Sequence, residues 1–538
     1  MKRSPRKGSA RRGATSRLDA VTLKLFHHLL GAIPEEMGIV LRRTAFSINI
    51  KERLDFSCAI TGADGALVAQ ASHIPVHLGS AHLTAAMLME RLPLERGDVV
   101  LVNDPWAGGT HLPDITLFAP VFAARGARPA FGLLVRAHHA DVGGANPGSM
   151  GPALDLFGEG LVIPPVKLVR GGVLQQELLD IVLANTRAPD ERRGDLLAQL
   201  AAIRHGSARL GALLQEVGAT RLAAAATALR THARLSAEAL IARMKPGRHS
   251  ARASLDGPGT PLIALTLARR GRRLSVDFTG TSAQVAEPLN ANRAITTSAV
   301  FYVLRLLLDP ELPANSGCLD ALDFELPEGT LINARRPAAV AGGNVETSQR
   351  LVDVLLEAMR RALGVDLPAA SQGSMNNFTA GGVRTDGSAW TFYETLGGGA
   401  GASRDAPGES GLQVHMTNTL NSPIEALEAA FPVRVRAYHF RSASGGAGAA
   451  CGGDGLVREF EFLTPAQVTL LATRRREGAA GAAGGAAGTP GADVVLDAAG
   501  ARRPLAGSAT IARGARVRIE TPGGGGFGRA PFRRRARL

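Results

Sequence analysis

The 538-residue chain is poor in cysteine, tryptophan and tyrosine, with 3, 2 and 3 of each, and only 4% of it is aromatic. Cys58, Cys318 and Cys451 are odd in number, far apart and without Cys-x-x-Cys spacing. Neither a disulfide framework nor a thiolate metal site follows. Cys58 lies in the apolar run Phe56-Ser57-Cys58-Ala59-Ile60 and reads as a small core residue. No uncharged apolar stretch of about 18 residues occurs, and no secretory apolar segment follows the basic N-terminus. That excludes a membrane-spanning helix, and a cytoplasmic protein is the expectation. No Gly-x-x-x-x-Gly-Lys-Ser/Thr is present, so a phosphate-cradling loop is not supported and the glycine clusters read as tight turns between strands.

Acid is missing from both ends. Residues 1–17 carry seven Lys/Arg and residues 529–538 carry five Arg, and these twelve account for all but about +2 of the net charge of +14. Such segments read as disordered basic tails, which argues against nucleic acid as a partner of the body. With 538 residues and 45% hydrophobic content, the chain can bury a large core and exceeds one simple domain.

The richest chemistry lies in Asn103-Asp104-Pro105-Trp106-Ala107-Gly108-Gly109-Thr110-His111-Leu112-Pro113-Asp114 and Arg136-Ala137-His138-His139-Ala140-Asp141. Imidazoles and carboxylates stand in two glycine-punctuated loops, the donor set of a divalent cation. The intervening runs Ile115 to Phe122 and Pro129 to Ala137 are short, apolar and bounded by turn formers. Folded antiparallel about Gly126, they place Asp114 opposite His138, about 5 Å apart at Cβ. His111 curls over the same end, so His111, Asp114 and His138 are the expected ligands. His139 points to the other sheet face and is the weaker ligand. Two imidazoles and one carboxylate with open positions suit catalytic Mn, Fe or Zn better than a closed structural site. The competing reading is ordinary turn chemistry with locally satisfied histidines.

The pass along the chain predicts an α+β architecture, with mixed sheets, helical segments and the metal site at the end of an antiparallel hairpin. Asp19 to Thr44 reads as a mostly buried helix pair bent at Pro34, with Val21, Leu25, Leu29, Ile33, Met37 and Val40 on one stripe. Asp55 to Ala69 is a hairpin turning at Asp64-Gly65, and Val99 to Val102 is a buried strand. Residues 176–245 are helical, with Gly194-Asp195 opening one helix. A second region begins near Lys245-Pro246-Gly247, with strands over 249–280 and helices over Ser298 to Leu308 and Thr347 to Leu363, the latter capped near Thr347 or Ser348. The organisation is then 1–17 basic tail, 18–245 metal-site region, 246–528 glycine-rich α+β region, 529–538 basic tail. The low-complexity run 477–492 reads as a flexible surface insertion.

A dozen ordered segments resemble one family. They include Asn49-Ile50-Lys51-Glu52-Arg53-Leu54-Asp55-Phe56-Ser57, Ile74-Pro75-Val76-His77-Leu78-Gly79-Ser80, Glu159-Gly160-Leu161, Gly343-Asn344-Val345-Glu346-Thr347-Ser348-Gln349-Arg350, His415-Met416-Thr417-Asn418-Thr419 and Thr521-Pro522-Gly523-Gly524-Gly525-Gly526-Phe527-Gly528, besides the two loops. From about residue 18 to 528 the chain resembles the B-type subunits of the hydantoinase/oxoprolinase family, which includes N-methylhydantoinase B and a subunit of acetone and acetophenone carboxylases. Cys451 and the 477–492 run depart from the family pattern.

The resemblance implies a division of labour. A larger A-type partner binds ATP and phosphorylates the substrate oxygen, while the B-type chain carries a divalent metal, Mn, Zn or Fe, where the activated cyclic amide is ring-opened. It implies roles for His77 and Glu159 at the substrate pocket, although a His73/His77 pair at i,i+4 suits a solvated or capping pair equally. Asp141, three residues past His138, is placed to orient an imidazole or act as base. Asp55, Asp195 and Glu346 stand near Arg53, Arg193 and Arg350, and structural ion pairs are their default. Two other functions compete with the hydrolase: an ATP-dependent ketone carboxylase subunit using the same site, and a noncatalytic scaffold using its basic tails.

Overall fold

The computed structural model describes residues 18–71 and 73–530. Residues 1–17 and 531–538, which hold nearly all of the two basic tails, lie outside the described residues.

A seven-stranded antiparallel sheet carries the N-terminal half. It is built from β1 (Phe56–Gly62), β2 (Leu67–Gln70), β3 (Val99–Val102), β4 (Asp114–Phe122), β5 (Pro129–His138), β6 (Val166–Arg170) and β7 (Val173–Leu174), in the order β2-β1-β5-β4-β3-β6-β7. Its central strands are apolar at nearly every position because helices cover both faces. Leu117, Leu133 and Val135 pack with the helices Ala20–Thr44 and Pro189–Val217, whereas Phe118 and Leu134 join a second core with Arg293–Leu307 and Ser348–Leu363. Alternation along each strand divides its side chains between the two cores.

The segment 19–44 is one helix, Ala20–Thr44, that runs through Pro34 rather than a bent pair. Asp19 caps it by accepting from the Thr22 amide. Its buried stripe is Phe26, Leu30, Ile33, Met37 and Leu41, while Val21 and Leu25 face outward, 81% and 55% exposed. Ile33 and Met37 lie on the stripe as expected, while at the other turns it shifts by one residue, to Phe26, Leu30 and Leu41, because both registers offer apolar residues at helical spacing. The helix around Gly194-Asp195 begins a turn and a half earlier, at Pro189. Ser348–Leu363 continues a single π-helical turn, Gly343–Thr347, without a side-chain cap. Among the described residues no helix is long and apolar enough to cross a membrane.

In the C-terminal half, Phe378, Phe392, Trp390, Phe460 and Phe462 fill a third core between a four-stranded and a five-stranded sheet. Beside it the glycine clusters form something other than turns. Residues 523–526 belong to no strand, yet successive amides donate to different segments: Gly523 to Thr489, Gly524 to Gly453, Gly525 to Ala370 and Gly526 to Ala486. The run 477–492 is mostly irregular backbone hydrogen-bonded into this lattice rather than a free surface insertion, and Ala479 is fully buried. Side chains are excluded because the neighbouring backbones approach too closely. A Cβ on Gly524 would lie 2.0 Å from the Ala400 carbonyl oxygen, and one on Gly453 would lie 1.9 Å from that of Glu409.

Candidate metal centre

β4 and β5 pair in register with Asp114 opposite His138 and Thr116 opposite Arg136. One polar face therefore forms at the hairpin end. The loop that delivers His111 is fixed by two asparagines. Asn103 donates to the Leu112 and Leu161 carbonyls and accepts from the Ile163 amide, and Asn292 donates to the Gly109 and Thr110 carbonyls at 3.0 Å each. Gly108 sits at φ +83°, where a Cβ would lie 2.5 Å from the Thr84 nitrogen, so the tight turn before His111 needs glycine.

Three imidazoles converge on the Asp114 carboxylate. His111 Nε2 and His138 Nδ1 lie 3.1 and 3.3 Å from Oδ1, and His77 Nε2 lies 3.1 Å from Oδ2. Oδ2 also accepts from the Thr110 hydroxyl, and Ser57 Oγ stands 2.9 Å from His77 Nδ1. The two oxygens are thus used differently: Oδ2 is held by a hydroxyl and one imidazole, while Oδ1 faces two imidazole nitrogens. The ligand atoms of His111, Asp114 and His138 lie within 4.8 Å of one another, and all three residues are buried. This N,N,O donor set fits a borderline divalent ion such as Zn, Mn or Fe. The remaining ring nitrogens, His111 Nδ1 and His138 Nε2, are buried without a hydrogen-bond partner among the described residues. Each imidazole is thus anchored through the nitrogen that faces the carboxylate.

Burial alone would raise the Asp114 carboxyl. The charges and hydrogen bonds of His111, His77 and His138 overcome it and hold the group well below the ordinary carboxylate range. His138 is pushed down by burial, with Asp114 opposing. Its ring stacks on Tyr393 at 4.4 Å, and the Tyr393 hydroxyl donates to Asn377. Asp55, Tyr393, Thr395, Met416 and Thr417 line the same cleft of about 20 Å³, so both halves of the chain enclose the cluster. Arg53 joins the halves: fully buried, it donates to Asn49 and to the hydroxyls of Thr395 and Thr419, while Asn49 donates to the His138 carbonyl.

His77 therefore sits in the cluster and is neither solvated nor a helix cap. His73 is separate: it accepts from the Cys58 amide, and burial lowers it to about 4. His139 faces the opposite side of the sheet and pairs with Gln199 of helix Pro189–Val217. Asp141 is not brought to an imidazole; its carboxylate accepts from the Gly143 amide and pairs with Arg187 at 2.9 Å. Asp195 pairs with Arg192 rather than Arg193, and Glu346 takes the Met375 amide, Asn377 and Thr473 rather than Arg350. Sequence reasoning missed Thr110, Asp55 and Tyr393 as neighbours of the cluster. Thr110 could have been found from its position between Gly109 and His111; Tyr393 carries no such signal.

Glu159 is buried beside the Ala341 amide, which donates to Oε1, and Oε2 has no partner among the described residues. Burial raises its carboxyl to about 8 against two opposing backbone hydrogen bonds. Between pH 4.5 and 8 the folded chain keeps a proton that the unfolded chain releases, so stability is full below that window and is lost as pH rises through it. Glu159→Gln is expected to flatten this slope, on the order of a few kcal/mol in urea titrations at pH 5 and 8. An unchanged slope in the variant would show that Glu159 is ionised in the fold.

The geometry now has relatives to be set beside. The family model for hydantoinase B/oxoprolinase matches residues 19–530. The chain belongs to that family. Arabidopsis thaliana 5-oxoprolinase 1 is 39% identical over 95% of this chain, which spans only 42% of that longer protein. The crystal structure of the ATP-dependent caprolactamase from Pseudomonas jessenii superimposes with a TM-score of 0.86 at 27% identity, covering 96% of this chain and 92% of that one. Nucleotide-free acetone carboxylase gives 0.86 at 18% identity over 95% of this chain and 76% of that one, a likeness of fold.

Proposed function

We propose that the chain is the metal-binding B-type part of an ATP-dependent cyclic-amide hydrolase, ring-opening a substrate that an A-type partner has phosphorylated. The observation that carries the reading is the convergence of His111 Nε2, Asp114 Oδ1 and His138 Nδ1 in a buried cleft. Membership of a family with 5-oxoprolinases supports it, as does a structural neighbour named as an ATP-dependent caprolactamase, since both names denote enzymes of cyclic amides. The curated plant relative is more than twice as long as the matched region, which is consistent with an A-type half lying outside this chain. The carboxylase likeness rests on fold alone, so ketone carboxylation is the less favoured chemistry.

In this reading His111, Asp114 and His138 hold a divalent ion, which when bound supplies Lewis acidity toward charge developing on a carbonyl oxygen. His77 is a positioning residue: together with Thr110 it fixes Oδ2 and so aims Oδ1 at the two other imidazoles. Tyr393 fixes the plane of the His138 ring. The cleft of about 20 Å³ admits one ion or water and no organic ring, so substrate entry requires the wall carrying Met416 and Thr417 to move. Asp141 and Glu159, the other residues with expected catalytic roles, act in this reading as supports of the surrounding loops.

The isolated chain is expected neither to bind ATP tightly nor to open 5-oxoproline, a hydantoin or caprolactam. Mixed with its A-type partner and ATP, it should open one of them with stoichiometric ATP consumption. Ring opening by the isolated chain without ATP would overturn the two-part mechanism and indicate a plain metal-dependent amidohydrolase.

A further inference from the structure

The His cleft is far from the largest cavity. A chamber of about 580 Å³ lies between helix Ser348–Leu363 and the glycine lattice, lined by Arg350, Asp353, His415 and Arg474 on its polar side and by Leu356 and Phe527 among its apolar walls. Its polar side is unbalanced. Arg350 is 3% exposed, its Nε has no hydrogen-bond partner, and its Nη1 stands 3.6 Å from Asp353 Oδ2. That oxygen is already taken by Arg474 Nη2 at 2.7 Å, and Arg474 Nε is likewise buried without a partner. Two guanidiniums therefore share one carboxylate. Burial tends to raise Asp353, yet His415 and the two arginines hold it down to about 2, so the carboxylate is fully committed. Burial lowers Arg350 only to about 10, which leaves it cationic at neutral pH.

A buried, charged guanidinium with unused donors beside an open chamber is satisfied by an oxyanion, whose paired oxygens match the planar fork. We propose that this chamber is a ligand site for a small organic oxyanion, carboxylate or phosphoryl, with its charged end on Arg350 and Arg474 and its apolar body against Leu356 and Phe527. The volume lies in the range of small-molecule sites and is far larger than inorganic phosphate requires. At the rim, Glu357 is occupied by Arg360 and Arg361, and Asp366 by Arg404, so these carboxylates do not quench the chamber's inner charge. The chamber and the His cleft back onto one segment, with His415 lining the first and Met416 the second. A second link is the helix itself: its leading π turn carries Asn344, which contacts His111 Nε2, and Arg350 follows six residues on, about 9 Å further along the axis. The assignment stands apart from the metal reading, because none of the three proposed ligands lines this chamber.

Calorimetric titration of the purified full chain with inorganic phosphate and, separately, butyrate, at constant ionic strength, tests the site. Saturable one-to-one binding of at least one anion is expected, at least tenfold weaker in Arg350→Met, with metal content unchanged. Tighter binding of phosphate identifies a phosphoryl ligand; tighter binding of butyrate identifies a carboxylate with an apolar body. Leu356→Trp fills the chamber without touching a charge and should abolish butyrate binding, which decides the matter if Arg350→Met does not fold. No saturable binding of either anion to the wild-type chain, or binding unaltered by Leu356→Trp and by any folded Arg350→Met protein, overturns the proposal.

Discussion

Asp114→Ala is expected to leave the purified chain with almost no bound divalent metal, where elemental analysis of the parent is expected to give about one ion per chain. The carboxylate is the element that His77, His111 and His138 share, so its removal also leaves three buried imidazoles without their common partner. Affinity should fall by more than about 100-fold, the upper end of what losing an outer partner costs. Asp114→Asn separates the two consequences: it retains the shape and one acceptor oxygen but loses the charge, so the fold should survive while metal is lost. In complex with an A-type partner, either variant should stop ring opening while some partner-catalysed ATP hydrolysis continues. Full metal occupancy in both variants would remove the site assignment, whatever happened to activity.

The second large effect belongs to the glycine lattice. Gly524→Ala places a methyl 2.0 Å from the Ala400 carbonyl oxygen, and the obstacle is backbone held by its own hydrogen bonds, not the flexible tip of a side chain. Overpacking of this kind should cost about 3 kcal/mol or more, read as a lower urea midpoint at unchanged slope. Gly211→Ala is the matched control. Gly211 lies within helix Pro189–Val217 with nothing inside 4 Å of the added methyl, so the substitution should stabilise by up to about 1 kcal/mol. A neutral Gly524→Ala would mean the lattice is looser than its spacings indicate.

These two regions were legible to very different degrees. The β4–β5 register follows from two apolar runs symmetric about Gly126, because a period-two pattern with a short turn leaves a single pairing that keeps both faces buried. His139 could be separated from His138 by the same alternation. Asn292, Tyr393 and Thr417 could not be placed near Asp114, since nothing local in their segments encodes a contact across hundreds of residues. Nearness on the chain does not fix ion pairs for the same reason: Glu346 stands four residues before Arg350 but turns toward Thr473. The lattice was misread because glycine signals permissive backbone equally for a turn and for close approach. Only the partner strands show which applies.

The interlacing of distant segments also sets a timetable. A nascent chain has synthesised His77, His111, Asp114 and His138 long before Thr417 exists, an interval of about 300 residues, or on the order of 15–60 s at roughly 5–20 residues per second. The lattice closes later still, since residues 370, 453, 486 and 489 wait for amides in 523–526. During that interval the donors of the cluster stand in an unfinished cleft, open to solvent and to ions. Once the segments carrying Tyr393, Thr395, Met416 and Thr417 dock, the cleft is enclosed, and anything that enters it later must wait for them to lift away.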